Sequence, residues 1–165
     1  MTKIYLAHSI STTADFNDSK RIANEIRALG YDVYAAAENA SINDKQANDP
    51  TPIDIYNGDV SEILSADIFV VNLSGGLQDG TISEVGVVAG YNEKANAFHG
   101  DIPESYRGLK RIIGYTSNAR LAHPQFHKGV PSASANHLVL GMVERWGEFV
   151  GGEVEMLAKL AEIGG

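Results

Sequence analysis

The sequence predicts an α/β fold in which helices cover both faces of a five-stranded, mainly parallel sheet, and three observations support it. Short apolar runs of strand type alternate with longer segments whose apolar residues fall at helical spacing. The strongest run, DIFVVNL from Asp67 to Leu73, is apolar on both faces, as a central strand of a parallel sheet is. The chain has 165 residues, 44% hydrophobic and 21% charged, which suits one domain with a buried core.

The elements follow in order. KIYLA (Lys3 to Ala7) is a first strand that begins almost at the initiating methionine, leaving no room for a signal peptide. The segment from Thr12 to Gly30 sets Phe16, Ile22, Ile26 and Leu29 at near-helical spacing, with Gly30 where a C-terminal cap belongs. YDVYAA (Tyr31 to Ala36) is a second strand. Glu38 to Pro52 is rich in Asn, Asp and Pro and is expected to be a loop. Helical spacing resumes through Ile55, Val60, Ile63 and Leu64. The third strand is Asp67 to Leu73. The turn Asp79-Gly80-Thr81 leads into a helix to about Asn92, and RIIGYT (Arg111 to Thr116) is a fourth strand. A helix ending near Trp146, a short strand GEFVG and a closing amphipathic helix complete a flavodoxin-like three-layer sandwich, with Trp146 and Phe149 expected to pack the last helix. In such a sheet ligands bind beyond the carboxyl ends of the strands, where strand order switches. The loops His8–Thr13, Asn72–Asp79 and Thr116–Asn136 are therefore expected to line one crevice.

Composition narrows the function. The formal charge of −8, with scattered Lys and Arg, excludes a nucleic-acid polymer as partner. No apolar run approaches a membrane span. The absence of cysteine excludes disulfides, thiol catalysis and cysteine-bound metals. The expected protein is cytoplasmic, with a small neutral or singly charged ligand in a pocket. His123 and His127 stand four residues apart, as zinc ligands on one helix face would, but Pro124 lies between them and no third ligand is evident. A surface loop is the simpler expectation.

Within the expected crevice the carboxylates draw the chemistry. Glu84 falls in the first turn of its expected helix, where unpaired N–H groups and the dipole favour an ionised carboxylate. A nucleophile requires that form. Asp79, five residues earlier, serves as a helix cap or as an acid, and Asp59 lies on the preceding helix. Taken singly each has a plainer explanation: dipole stabilisation for Glu84, capping for Asp79, a solvated face for Asp59, packing for Tyr5. Their expected convergence without a metal-ligand cluster points to glycosyl transfer, in which one carboxylate attacks the anomeric carbon and another manages the leaving-group proton. His8 lies in the first loop and contacts either the ligand or the loop itself.

The sequence resembles the nucleoside 2-deoxyribosyltransferase family and the related deoxynucleoside 5′-monophosphate N-glycosidases. The resemblance rests on KIYLA, YNGDVSEILSADIFVVNL, DGTISEVG and ANHLV, in family order from Met1 to about Leu140. It implies Glu84 as the nucleophile that takes the deoxyribosyl group, Asp79 as acid and then base for the departing base, and Tyr5 as the hydroxyl that orients Glu84. Asp59 would hold sugar or base, His8, Ser9 and Gly80 would contact the substrate, and Asn136 would reach the sugar 5′-hydroxyl in a neighbouring subunit of a homo-oligomer. The substrates implied are nucleosides and free nucleobases, with no cofactor and no metal.

Departures from the family pattern bear on the substrate. AHSISTT retains Ser9-Ile10 of the hydrolases' phosphate loop, but Ser11 replaces its Arg and no glycine follows. Asn136 stands where those hydrolases carry Ser. Both favour a free 5′-hydroxyl and base exchange over hydrolysis of a monophosphate, although Ser9, Ser11, Thr12 and Thr13 offer hydroxyls to an anion at a helix start. The stretch from Glu93 to Lys110, with Pro103, Tyr106 and Arg107, reads as an ordered excursion at a subunit contact or over the pocket. The stretch from Ala119 to Ala135 reads as a lid.

Overall fold

The computed structural model describes residues 1–74, 78–98, 108–119, 121, 126–127, 130–131 and 135–164. Pro103, Tyr106, Arg107 and His123 lie outside them, as does much of the stretch read as a lid. Strands β1 (Lys3–Ala7), β2 (Asp32–Ala35), β3 (Ile68–Asn72) and β4 (Arg111–Tyr115) come first. A small antiparallel hairpin of β5 (Phe126–His127) and β6 (Val130–Pro131) follows, and then β7 (Gly147–Gly151). The main sheet has the order β2-β1-β3-β4-β7 and is parallel throughout. This is the flavodoxin-like arrangement, with its switch point between β1 and β3.

Strand alternation sends side chains to two apolar layers. Ile4, Leu6, Val33, Val70 and Ile113 meet Ile22 and Ile26 of α1 (Thr13–Ala28) and Met156 and Leu160 of α7 (Glu153–Gly164). Tyr5, Ala7, Phe69, Val71 and Ile112 meet three other helices, α4 (Pro52–Ser65), α5 (Asp79–Phe98) and α6 (His137–Trp146). Helices lie on both faces of the main sheet, which is why its central strand β3 is buried from end to end.

Local chemistry sets the boundaries. The Thr12 hydroxyl accepts from the Asp15 N–H to start α1, and Gly30 follows its end at φ 92°, a left-handed conformation that favours glycine. Thr51 and Asp54 form a reciprocal capping box at the start of α4, with Pro52 in its first turn. Gly147 joins α6 directly to β7, and a Cβ there would lie 1.7 Å from the Ile112 carbonyl oxygen, so only glycine fits.

The structure differs from expectation in several places. The stretch read as a loop contains α2 (Ala40–Asn43) and α3 (Lys45–Asn48), because Asn39 and Asp44 cap them by accepting from the N–H groups of Ser41 and Ala47. Helix α5 continues six residues beyond Asn92, so Glu93 to Phe98 are helical rather than part of an excursion. Trp146 and Phe149 pack on the α5–α6 side, across the sheet from α7, because Val150 rather than Phe149 takes the inward position toward α7.

Asn92 itself is fully buried. Its amide donates to the Lys110 carbonyl at 2.8 Å and accepts from the Lys110 N–H at 2.9 Å, tying α5 to the approach of β4. Asn92→Ala strands two buried backbone groups, so the expected loss is about 2–4 kcal/mol of stability. Urea denaturation measures it, and an unchanged midpoint would refute this account of the tie.

Candidate active site

At the switch point the carboxyl ends of β1 and β3 open into a cavity of about 280 Å³. One wall is apolar, formed by Ile10, Ala36, Ile42 and Ile55; Asp59, Asp79 and Glu84 supply the acidic groups. His8, Ser9, Ser11, Gln78 and Gly80 complete its rim. A second, polar chamber of about 230 Å³ shares His8, Ser9, Ser11 and Gln78 with it and extends to Asn72, Ser74 and Ser117.

Parallel register builds the floor. Tyr5 of β1 stands beside Tyr34 of β2 on one side and Phe69 of β3 on the other. The three rings stack in a row, with centroids 5.2 Å apart for Tyr5–Tyr34 and 5.5 Å for Tyr5–Phe69. Two of the rings carry hydroxyls, and each holds a carboxylate from a different helix. Tyr5 donates to Glu84 Oε1 at 2.7 Å, and Tyr34 donates to Asp59 Oδ1 at 3.2 Å while accepting from the Asn39 amide at 3.0 Å. Thus the structure brings Tyr5, Asp59, Asp79, Gly80, Glu84, His8 and Ser9 together around one cavity.

Glu84 lies in the second turn of α5, because that helix starts at Asp79 rather than after the turn expected there. It shares the inward stripe of Thr81, Val85 and Val88, three residues beyond the first and four before the last, so it points over the sheet edge. The dipole fades beyond the first turn. Burial therefore dominates, and it pushes the Glu84 carboxyl up to about 7; the Tyr5 hydroxyl pulls it down and Asp59 pushes it further up. The expectation that the helix start alone would keep Glu84 ionised is corrected here: its environment poises it near neutrality. Burial raises Asp59 as well, against the Tyr34 hydrogen bond. Burial also raises both tyrosines, Tyr34 to about 12, so each remains a hydrogen-bond donor at neutral pH.

His8 is buried at the partition between the two chambers. Its Nδ1 lies 2.7 Å from the Ser9 carbonyl, and its Nε2 lies 2.8 Å from the Asn72 amide and 3.3 Å from Asp18. With the Asn72 amide donating to Nε2, the proton belongs on Nδ1, where it is donated to Ser9. Asn136 lies elsewhere: it is exposed and caps α6 by accepting from the Leu138 N–H at 2.8 Å, and it is not among the cavity-lining residues. Sequence reasoning missed Tyr34, Asn39 and Gln78. Tyr34 was legible in principle, as the tyrosine whose position in the second strand matches Tyr5 in the first.

In this doubly wound α/β sheet, strand tyrosines hold helix-borne carboxylates at the switch point, the place where such sheets bind ligands. The model of the nucleoside 2-deoxyribosyltransferase family matches residues 4–130, and the chain belongs to that family. Members of the family act on nucleosides or nucleotides by glycosyl transfer or hydrolysis. Two solved structures are similar over almost the whole chain. A conserved protein from Enterococcus faecalis is 23% identical over 99% of each chain, with a TM-score of 0.73. The CMP N-glycosidase BcmB of Clostridium botulinum is 15% identical over 96% of this chain and 98% of its own, with a TM-score of 0.51. At these identities the likeness establishes the shared fold. No curated protein matches the sequence.

Two outcomes follow from the Glu84 environment. Its folded-state value is raised above the ordinary 4.5, so the native state holds a proton that the unfolded chain gives up, and stability falls as pH rises from about 4.5 to about 7. Glu84→Gln should remove that slope and exceed wild type at pH above 7 by ~1–3 kcal/mol, measured by denaturant melts across pH. Tyr5→Phe removes the bond that lowers Glu84, so the acid limb of a pH–rate profile should move to higher pH. A shift to lower pH would contradict the assigned role.

Proposed function

We propose that the protein is a nucleoside 2-deoxyribosyltransferase that exchanges the base of 2′-deoxyribonucleosides through a deoxyribosyl ester on Glu84. The observation behind this reading is the Tyr5–Glu84 hydrogen bond of 2.7 Å beside an apolar wall and two further carboxylates. The base lies against Ile42 and Ile55, and the sugar lies over Glu84. As the glycosidic bond breaks, its electron pair goes to the base, which takes a proton from Asp79 at the exposed start of α5. The Glu84 carboxylate, aimed by Tyr5, forms the bond to C1′ from the opposite face. A second base, deprotonated by Asp79, attacks C1′ and releases Glu84, so two inversions give net retention. Asp59, fixed by Tyr34, holds the sugar or base.

A 2′-hydroxyl would withdraw electrons from the oxocarbenium-like centre and compete for the Glu84 oxygens, which favours 2′-deoxy sugars. Asn136, exposed and outside its own chain's cavity, suits a role in a neighbouring subunit's site, and we infer a homo-oligomer with shared sites. Hydrolysis is the second reading, in which water enters as acceptor. It is favoured by the hydroxyls of Ser9, Ser11, Thr12, Ser74 and Ser117 around the polar chamber, which can also order water.

Chromatography of 2′-deoxyinosine incubated with and without adenine tests this. Deoxyadenosine should form only when adenine is present, and Glu84→Ala should reduce the rate by at least ~10³-fold, the scale of a lost covalent nucleophile. Free hypoxanthine without a new nucleoside would replace transfer by hydrolysis. Full activity in the Ala variant would end both readings.

A further inference from the structure

The polar chamber has an electrostatic character that the hydroxyls conceal. Asp15 and Asp18 both line it, and among the described residues lining either chamber there is no lysine or arginine. Asp15 sits in the first turn of α1, where its carboxylate accepts from the Thr12 hydroxyl at 2.8 Å. The helix start, the place where a ligand's anion gains most from unpaired N–H groups and the dipole, therefore already has a carboxylate of the chain's own beside it. No described cation pairs with Asp15. Asp18 lies 3.3 Å from His8 Nε2 and accepts from Arg21 at 2.6 Å. Arg21 in turn is committed to Glu25 and Glu153, both at 2.7 Å. Arg21 is thus bound to three carboxylates and does not line the chamber.

The layout of the two cavities orients a nucleoside. The apolar wall of Ile10, Ala36, Ile42 and Ile55 suits the flat face of a base, Glu84 lines the same cavity, and the acidic chamber, which adjoins it through His8, Ser9, Ser11 and Gln78, is the space left for the remaining end of the sugar. We infer that this chamber is a charge filter for the 5′ substituent: Asp15 and Asp18 are specificity-determining residues that admit a neutral or cationic 5′ group and reject a 5′-phosphate. The inference rests on Glu84 as the group that attacks C1′, since that contact sets which end of the substrate reaches the chamber. A phosphate would bring nearly two negative charges beside two part-exposed carboxylates, where like charges repel and added salt screens the repulsion. A hydroxyl meets only hydrogen-bond partners, and an ammonium gains from both acids.

A charge ladder tests the filter with three substrates of the same base: a 2′-deoxynucleoside, its 5′-monophosphate and its 5′-amino-5′-deoxy analogue. Base release should rank amino above hydroxyl above phosphate in kcat/KM, with the monophosphate about 100-fold or more below the nucleoside at low salt. Raising NaCl from ~20 to ~500 mM should draw the three together, with KM for the monophosphate falling as repulsion is screened. Attraction at a phosphate site would give the opposite sign. Asp15→Asn with Asp18→Asn, which keeps the side-chain volumes and releases Arg21, should narrow the nucleoside-to-monophosphate ratio at least about tenfold. Asp15→Asn alone serves if the pair melts early, and the salt series needs no variant at all.

A monophosphate used as well as the nucleoside, a KM for it that rises with salt, or a ratio unmoved by the Asn variants would each overturn the filter while leaving the Glu84 chemistry standing. If no glycosidic bond is cleaved with any of the three, the reading of Glu84 fails and the filter falls with it.

Discussion

The site depends on one hydrogen bond, from the Tyr5 hydroxyl to Glu84. It joins the middle of the sheet to a helix that would otherwise bring a bare carboxylate into an apolar layer. Two forces act on that carboxylate in opposite directions. Burial favours its neutral form, and the phenol favours its ionised form. Burial is the stronger, and the result is a group near neutrality rather than one locked in either state. A site fully open to water would lose the first force, and a strand without the tyrosine would lose the second.

That bond in turn requires register. Tyr34, Tyr5 and Phe69 stand abreast only because β2, β1 and β3 are parallel and paired at those residues. A one-residue slip of β1 would send Tyr5 to the α1–α7 face and leave Glu84 without its donor, and the same slip of β2 would take Tyr34 from Asp59. The ring row is therefore part of the apolar core and also the support for two acidic groups. The fixing of both carboxylates, from α4 and from α5, has a single structural cause.

Taken together, the cavity and the chamber contain five carboxylates, from Asp15, Asp18, Asp59, Asp79 and Glu84. On the proposed reading this field has a use beyond selection of the 5′ group. Departure of a base leaves positive charge on the sugar, and preformed negative groups stabilise charge where it develops. The same field disfavours anionic ligands, so binding must come from the apolar wall and from hydrogen bonds. Stability is supplied away from this region, by the Asn92 tie and by Lys110, which is 5% exposed and donates to the carbonyls of Leu64 and Ala66 at the end of α4.

The sequence by itself determined the layers. Alternating periodicities, a strand apolar on both faces and a glycine after α1 specify a parallel sheet between helices, since those signals are local and each matches its element. It also pointed to Glu84, Asp79, Asp59 and Tyr5, which the fold gathers at one cavity. What it left undecided were relations across the chain. Asn39 and Asp44 read as loop residues until the backbone around them showed that they cap helices. Glu84 read as a dipole-stabilised anion until α5 proved to start at Asp79 and burial outweighed the helix end. Tyr34 lies 25 residues from the Asp59 it holds, and Tyr5 lies 79 residues from Glu84. Periodicity reports which face a residue takes along one element. Pairing, depth and the balance between burial and hydrogen bonding belong to the packed molecule, so they were decided only when the strands were laid side by side.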